Sequence, residues 1–143
     1  MAITQAVCNT FKSELLGAVH DFDSGSGQVF KLALYTSAAN LSAATTVYTA
    51  TGEVSNTGTY TAGGGALQSQ QVSLDASVAI VDFADLSFTG VTLTARGALI
   101  YNTSASSKSV CVLDFGADKT ATSGTFTIQF PAFTSSAAIL RIA

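Results

Sequence analysis

At 143 residues the chain is long enough for one domain with a sizeable core. Its formal net charge is −3, and charged residues make up 10% against about 25% in ordinary globular chains. The six basic residues (Lys12, Lys31, Arg96, Lys108, Lys119 and Arg141) are scattered, which argues against direct nucleic-acid binding, and no apolar run reaches the roughly 18 residues of a membrane span. Residues 4–20 carry the best helical pattern: Cys8, Phe11, Leu15 and Val19 recur at spacings that line one face. Thr4 stands where an N-cap hydroxyl would accept from a free amide of the first turn. Asp21–Gly27 then reads as a loop, broken by Gly25 and Gly27.

From residue 28 the period changes to two. Strands are expected over 28–35, 66–74 (weaker), 91–101 with Gly97 as a candidate bulge, 109–115, 124–130 and 137–142. Residues 78–88 read as a buried strand, a turn and a second short strand. The 124–130 run is the clearest, with Phe126, Ile128 and Phe130 on one face and Thr125, Thr127 and Gln129 on the other. Turn signals fall at Asp75–Ser77, Asn102–Lys108, Gly116–Gly124 and Pro131–Ser136. The pattern predicts a mainly β domain over 1–143. Its expected form is an antiparallel β-sandwich, jelly-roll or Ig-like, with one N-terminal α-helix. Residues 36–65 are poor in apolar side chains and are expected as an extended loop or arm, since loops of this length are usually functional or disordered. Deleting residues 40–62 would on this reading leave a folded domain.

The residues that could carry chemistry do not assemble into a motif. His20 is the one histidine; Asp21 and Asp23 could orient it, but no Gly-x-Ser-x-Gly elbow accompanies it, and the end of a helix suits its partial positive charge. Asp114-Phe115-Gly116 has the letters of a kinase magnesium motif without any other kinase element, and reads as a strand end and turn. Asp21-x-Asp23-x-Gly25 starts like a calcium loop, but the position needing a bidentate Glu is Leu32. Asp82 and Asp85 read as strand-edge and turn residues. Gly63-Gly64-Gly65 lacks the Lys and Ser or Thr of a phosphate cradle and reads as a hinge or tight turn. Asn40 and Asn102 head glycosylation triplets, but the start of the chain lacks the charged and apolar regions of a secretion signal, so folding in a cytoplasm is expected. Cys8 and Cys111 are expected as buried free thiols. No catalytic, cofactor-binding or metal-binding residue is assigned, and no enzyme activity is expected.

The strings KLALYTSAANL, YTATGEV, TYTAGGGAL, LTARGALIYN, VCVLDFGADKT and FTIQFPAFTSSAAILRIA, with the N-terminal FKSELLGAVHDF, resemble a family of small virion structural proteins of tailed bacteriophages. The resemblance runs through nearly the whole chain and implies a particle component, located in the virion and in the host cytoplasm during assembly. It supplies no site residues. Within it, the compact β pattern and low charge favour a capsid decoration (cement) protein that binds between major capsid protein subunits, as a homotrimer. The alternatives are a tail, neck or fibre component, or a host-surface carbohydrate-binding module, the last weakened by the absence of Trp.

Overall fold

The computed structural model describes residues 2–143; Met1 lies outside the described residues. In chain order the elements are β1 (Ala6–Val7), α1 (Asn9–Leu16), β2 (Phe30–Tyr35), β3 (Gly65–Ala66), β4 (Gln71–Asp75), β5 (Val78–Asp82), β6 (Leu86–Asn102), β7 (Lys108–Ile128) and β8 (Leu140–Ile142). They form a five-stranded sheet in the order β1-β7-β6-β2-β3 and a three-stranded sheet in the order β4-β5-β8. Every strand pairing is antiparallel. Two antiparallel sheets with one short N-terminal helix is the architecture expected of the alternating pattern. Among the described residues no helix is long and apolar enough to cross a membrane.

The centre of the large sheet is β2 against β6, with Leu32 opposite Ile100 and Leu34 opposite Ala98. Phe30, Leu32, Ala33, Leu34 and Tyr35 are all buried, so β2 is covered on both faces, and its near-continuous apolar run follows from that. On the face of Phe30, the ring stacks on Phe22 at 4.4 Å and meets Phe83 at 5.8 Å. The opposite face, carrying Tyr35 and Tyr101, is covered by the 36–65 segment: Tyr35 Oη donates to the Thr49 carbonyl at 2.6 Å, and the rings of Tyr48 and Tyr101 stack at 4.8 Å.

Several expectations are corrected. The helix spans Asn9–Leu16 rather than 4–20. Residues ahead of it are drawn into sheet contacts instead: Ile3 bridges Leu41, Thr4 N–H donates to the Leu41 carbonyl, and Ala6 and Val7 pair with Val112 and Cys111. Thr4 therefore caps nothing; Cys8 occupies the N-cap without a side-chain bond, and the helix stops at Gly17, followed by Ala18 at φ 60°. Of the predicted stripe, Cys8 and Phe11 are buried and Leu15 packs partly against the core, while Val19 lies past the helix end. The 66–74 strand is divided into β3 and β4. The expected turn at Gly116–Gly124 is absent, because β7 runs through it from Lys108 to Ile128. Asp114-Phe115-Gly116 is thus mid-strand rather than a strand end; Gly116 takes φ 78° and its N–H is held by the Asp114 carboxylate at 2.9 Å. Further along, the exposed face of β6 and β7 carries cross-strand hydroxyl pairs such as Thr94 with Thr120 at 3.0 Å.

The bulge assigned to Gly97 coincides with a register shift between Ala95 and Gly97. A Cβ at Gly97 would lie 2.5 Å from the Leu113 carbonyl oxygen and 2.8 Å from Ile3, so the absence of a side chain is what lets the N-terminal segment close over β6. The 124–130 reading holds in its alternation, with Phe126 and Ile128 buried, though the strand ends at Ile128.

The 36–65 segment is irregular as expected, but it is no projecting arm. Ala39, Leu41, Val54 and Tyr60 are buried within the single hydrophobic cluster that also holds β2 and β6. Deleting residues 40–62 is therefore expected to abolish the folded state, the reverse of the sequence expectation, as loss of the β circular-dichroism signal would report. Ile128→Ala should cost about 2–5 kcal/mol in urea denaturation, the range for large-to-small changes at buried sites.

Candidate functional site

Three constellations stand out: an apolar groove, a buried histidine cluster beneath it, and a carboxylate surrounded by tyrosines. The groove, about 480 Å³, lies between α1 and the small sheet, with Phe11, Leu15, Phe22, Val81 and Leu140 in its walls and Lys12, Asp21 and Arg141 among its lining residues. Around it the surface is apolar without cover: Leu16 is 91% exposed, and Val7, Val72 and Ile142 also face solvent. The cause is local. α1 is only eight residues long and packs on β7, so outer side chains of the small sheet across the groove, such as Val72 and Ile142, are left bare.

His20 lies beneath this groove with its side chain fully enclosed. The Asn102 amide Nδ2 sits 3.1 Å from His20 Nδ1 and 2.8 Å from Gln28 Oε1, while Asn102 Oδ1 accepts from Ser104 N–H at 3.0 Å. With the amide oriented by those other partners, Asn102 donates to Nδ1, and His20 Nε2–H donates to Glu14 Oε1 at 3.1 Å. Glu14 Oε2 in turn meets Lys108 Nζ at 3.1 Å. Burial acts to raise the Glu14 carboxyl, but the hydrogen bonds and charges of His20 and Lys108 together outweigh it and hold it below the usual carboxylate range. Both imidazole nitrogens thus have structural partners. The cluster ties α1 to the β6–β7 connection.

The third constellation surrounds Glu53. Tyr48 Oη donates to Glu53 Oε2, Tyr60 Oη donates to Oε1 at 2.8 Å, and Gly63 N–H donates to Oε1 at 2.6 Å. Tyr60 Oη also accepts from Leu34 N–H at 2.9 Å, and Tyr101 Oη donates to the Gly63 carbonyl at 2.6 Å. With Tyr35 on Thr49, all four tyrosines of the chain are engaged in holding the 36–65 segment to β2 and β6. Burial first, and the Glu53 charge in addition, push all four hydroxyls upward, Tyr101 to about 12 and the others further.

The remaining residues singled out from sequence serve the backbone. Asp21 accepts from Asp23 N–H and Asp23 from Gly25 N–H, so both carboxylates cap their own loop. Asp85 accepts from Phe130 N–H at 2.9 Å, and Asp82 ends β5. Gly64, at φ 83°, packs so closely on β2 that a Cβ would sit 1.8 Å from the Leu32 carbonyl oxygen, which makes the glycine run a tight crossing rather than a hinge. Asn102 is buried and Asn40 exposed. Cys8 and Cys111 are free and buried; burial pushes both thiols up, Cys111 to about 12. Among the described residues no group of three or more His, Cys, Asp or Glu side chains is placed to hold a metal ion.

Sequence reasoning named His20, noted Asn102 only as a glycosylation triplet and turn residue, and passed over Glu14 and Glu53. A signal for Glu53 existed: it is the sole acidic residue within 36–65, a segment that also holds two of the four tyrosines. Glu14 and Asn102 carried none, since their partners are six and eighty-two residues away. Comparison with protein-family models, with curated proteins and with solved structures finds no match to this chain.

The tyrosine cluster sets an alkaline limit. A phenol whose folded pKa is raised contributes stability that is complete below its unfolded value, about 10, and is lost as pH rises toward the folded value, because the unfolded chain then releases protons that the native state retains. Urea midpoints should therefore hold up to that pH and fall steeply between it and pH about 12. Tyrosinate absorbance should appear with unfolding rather than ahead of it.

Proposed function

We propose that the protein is a virion structural subunit, a decoration protein of a tailed-bacteriophage head that docks between major capsid protein subunits. The observation that carries this reading is the division of chemistry across the molecule: histidine, cysteines, tyrosines and the Glu14 and Glu53 carboxylates are consumed internally, whereas the large hydrophobic side chains left exposed, several of them around the groove, are aliphatic. The exposed large hydrophobic side chains among the described residues are Val, Leu and Ile, with no aromatic platform of the sort that stacks on sugars. That supports docking onto protein over carbohydrate recognition. A low-charge contact face also loses little solvation on burial.

The work of such a subunit is mechanical. Binding only to the assembled shell stabilises it by mass action, and many equivalent weak contacts add up along the lattice. A core in which even the longest loop is bolted down suits a rigid clamp. Quantitative mass spectrometry of purified particles is expected to give copy numbers comparable with the major capsid protein. A small, ring-sized number would point to the tail or neck instead, and absence from particles would overturn the proposal.

A further inference from the structure

We infer that β4 is a self-pairing edge, through which two copies of this chain join their three-stranded sheets into one six-stranded sheet about a two-fold axis at Ser73. β4 lies at one end of the sheet, paired on one side only, and four of its five residues are exposed. Nothing in its sequence, Gln-Val-Ser-Leu-Asp, protects the open side: it has no lysine, proline or bulge of the kind that blunts edges.

The geometry of the hairpin fixes which groups are offered. β4 and β5 are joined by a two-residue turn, Ala76-Ser77, with Asp75 opposite Val78. The pair flanking such a turn exchanges both backbone bonds, so Asp75, Ser73 and Gln71 point their N–H and C=O groups toward β5, and Val72 and Leu74 point theirs outward. An antiparallel partner strand centred on Ser73 sets Val72 of one copy against Leu74 of the other, twice. The four outward groups on each strand then bond across the axis.

The side chains agree with that register. Val72 is 50% exposed and Leu74 69%; they share the face that carries Ala79, Val81, Leu140 and Ile142, the face turned toward α1 and the groove. Pairing sets these two aliphatic side chains directly opposite each other, the arrangement that stabilises cross-strand pairs. On the other face Gln71 meets Asp75 of the second copy, an amide donor against a carboxylate whose Oδ2 is engaged with Ser135 N–H and whose Oδ1 is available. No like charges are opposed, and shifting the register by two residues leaves part of each strand without a partner. The chain segment is thus complementary to itself, which selects a second copy over other occupants of the edge. The contact is isologous and closes at two, so it differs from the homotrimer expected of a decoration protein, and it holds whether or not the protein is a particle component.

Light scattering coupled to gel filtration is expected to show a dimer of the full chain. Val72→Pro removes an outward N–H and no bond to β5, a substitution edge strands accept; it should give a monomer with unchanged circular dichroism. Ser73→Cys places the two thiols at the axis in a non-hydrogen-bonded pair, where Cα separations of about 4.5 Å permit a disulfide, so it should cross-link under mild oxidation while the wild type, with both native cysteines buried, does not. A wild-type monomer or trimer, or a dimer in which Ser73→Cys fails to cross-link, would overturn the pairing. If Val72→Pro proves unfolded, the cross-link alone decides.

Discussion

The Glu53 carboxylate is the fixed point of this fold. Thirty residues, 36–65, contain no helix and only the first residue of β3, yet they cover one face of the central sheet. A segment with so few apolar side chains cannot hold itself there by burial alone. Glu53 gathers two phenols and a backbone amide, and those groups are themselves tied to β2 and β6 through Leu34 and Tyr101. Buried or half-buried hydrogen bonds of this kind give little net stability each, but leaving one unmade is expensive. The network therefore specifies where the loop lies more than it adds to its stability, and the core beneath it, including Tyr35 and Leu99, is dry because the loop stays in place.

The parts of the fold legible in the sequence are those governed by local periodicity. Phe126 and Ile128 against Thr125 and Thr127, or the apolar run at β2, announce strands because burial on one face or two dictates the pattern directly. The errors come where a distant partner decides. Residues 4–8 have helical spacing, but their backbone is claimed by Leu41 and by Val110–Val112. Gly116–Gly124 has turn composition, yet the facing strand β6 offers partners at Ala95, Thr94, Leu93 and Val91, with register slips on either side, and pairing prevails over propensity. The segment 36–65 looked unanchored because its anchors are one carboxylate and four phenols, and no period in the sequence reports a polar cluster. The same holds at the histidine: its position was evident, but that its ring is walled in by Asn102 and Glu14 depends on contacts far along the chain.

Polar side chains gathered inward at Glu53 and aliphatic side chains bared around the groove give the molecule two unlike sides. The side of the large sheet under the loop is closed by hydrogen bonds. The side of α1 and the small sheet is only partly closed, because a two-turn helix cannot span three strands, and the residual apolar surface there is what other proteins, or another copy, can use.

One consequence lies in the length of β6 and β7. They are single strands, 17 and 21 residues long, paired from Leu86 with Ile128 to Asn102 with Lys108. The same two ribbons thus form buried stretches near Leu99 at one end and near Phe88 and Phe126 at the other, with an exposed stretch at Thr94 and Thr120 between them and register slips at four places along the way. Such a ladder can open locally at its exposed middle, between slips, without disturbing either buried end. Amide exchange would then be quick around Ser123 and slow on either side of it, beside Val112 and beside Phe126, so that the ribbon loosens at its waist while both ends stay shut.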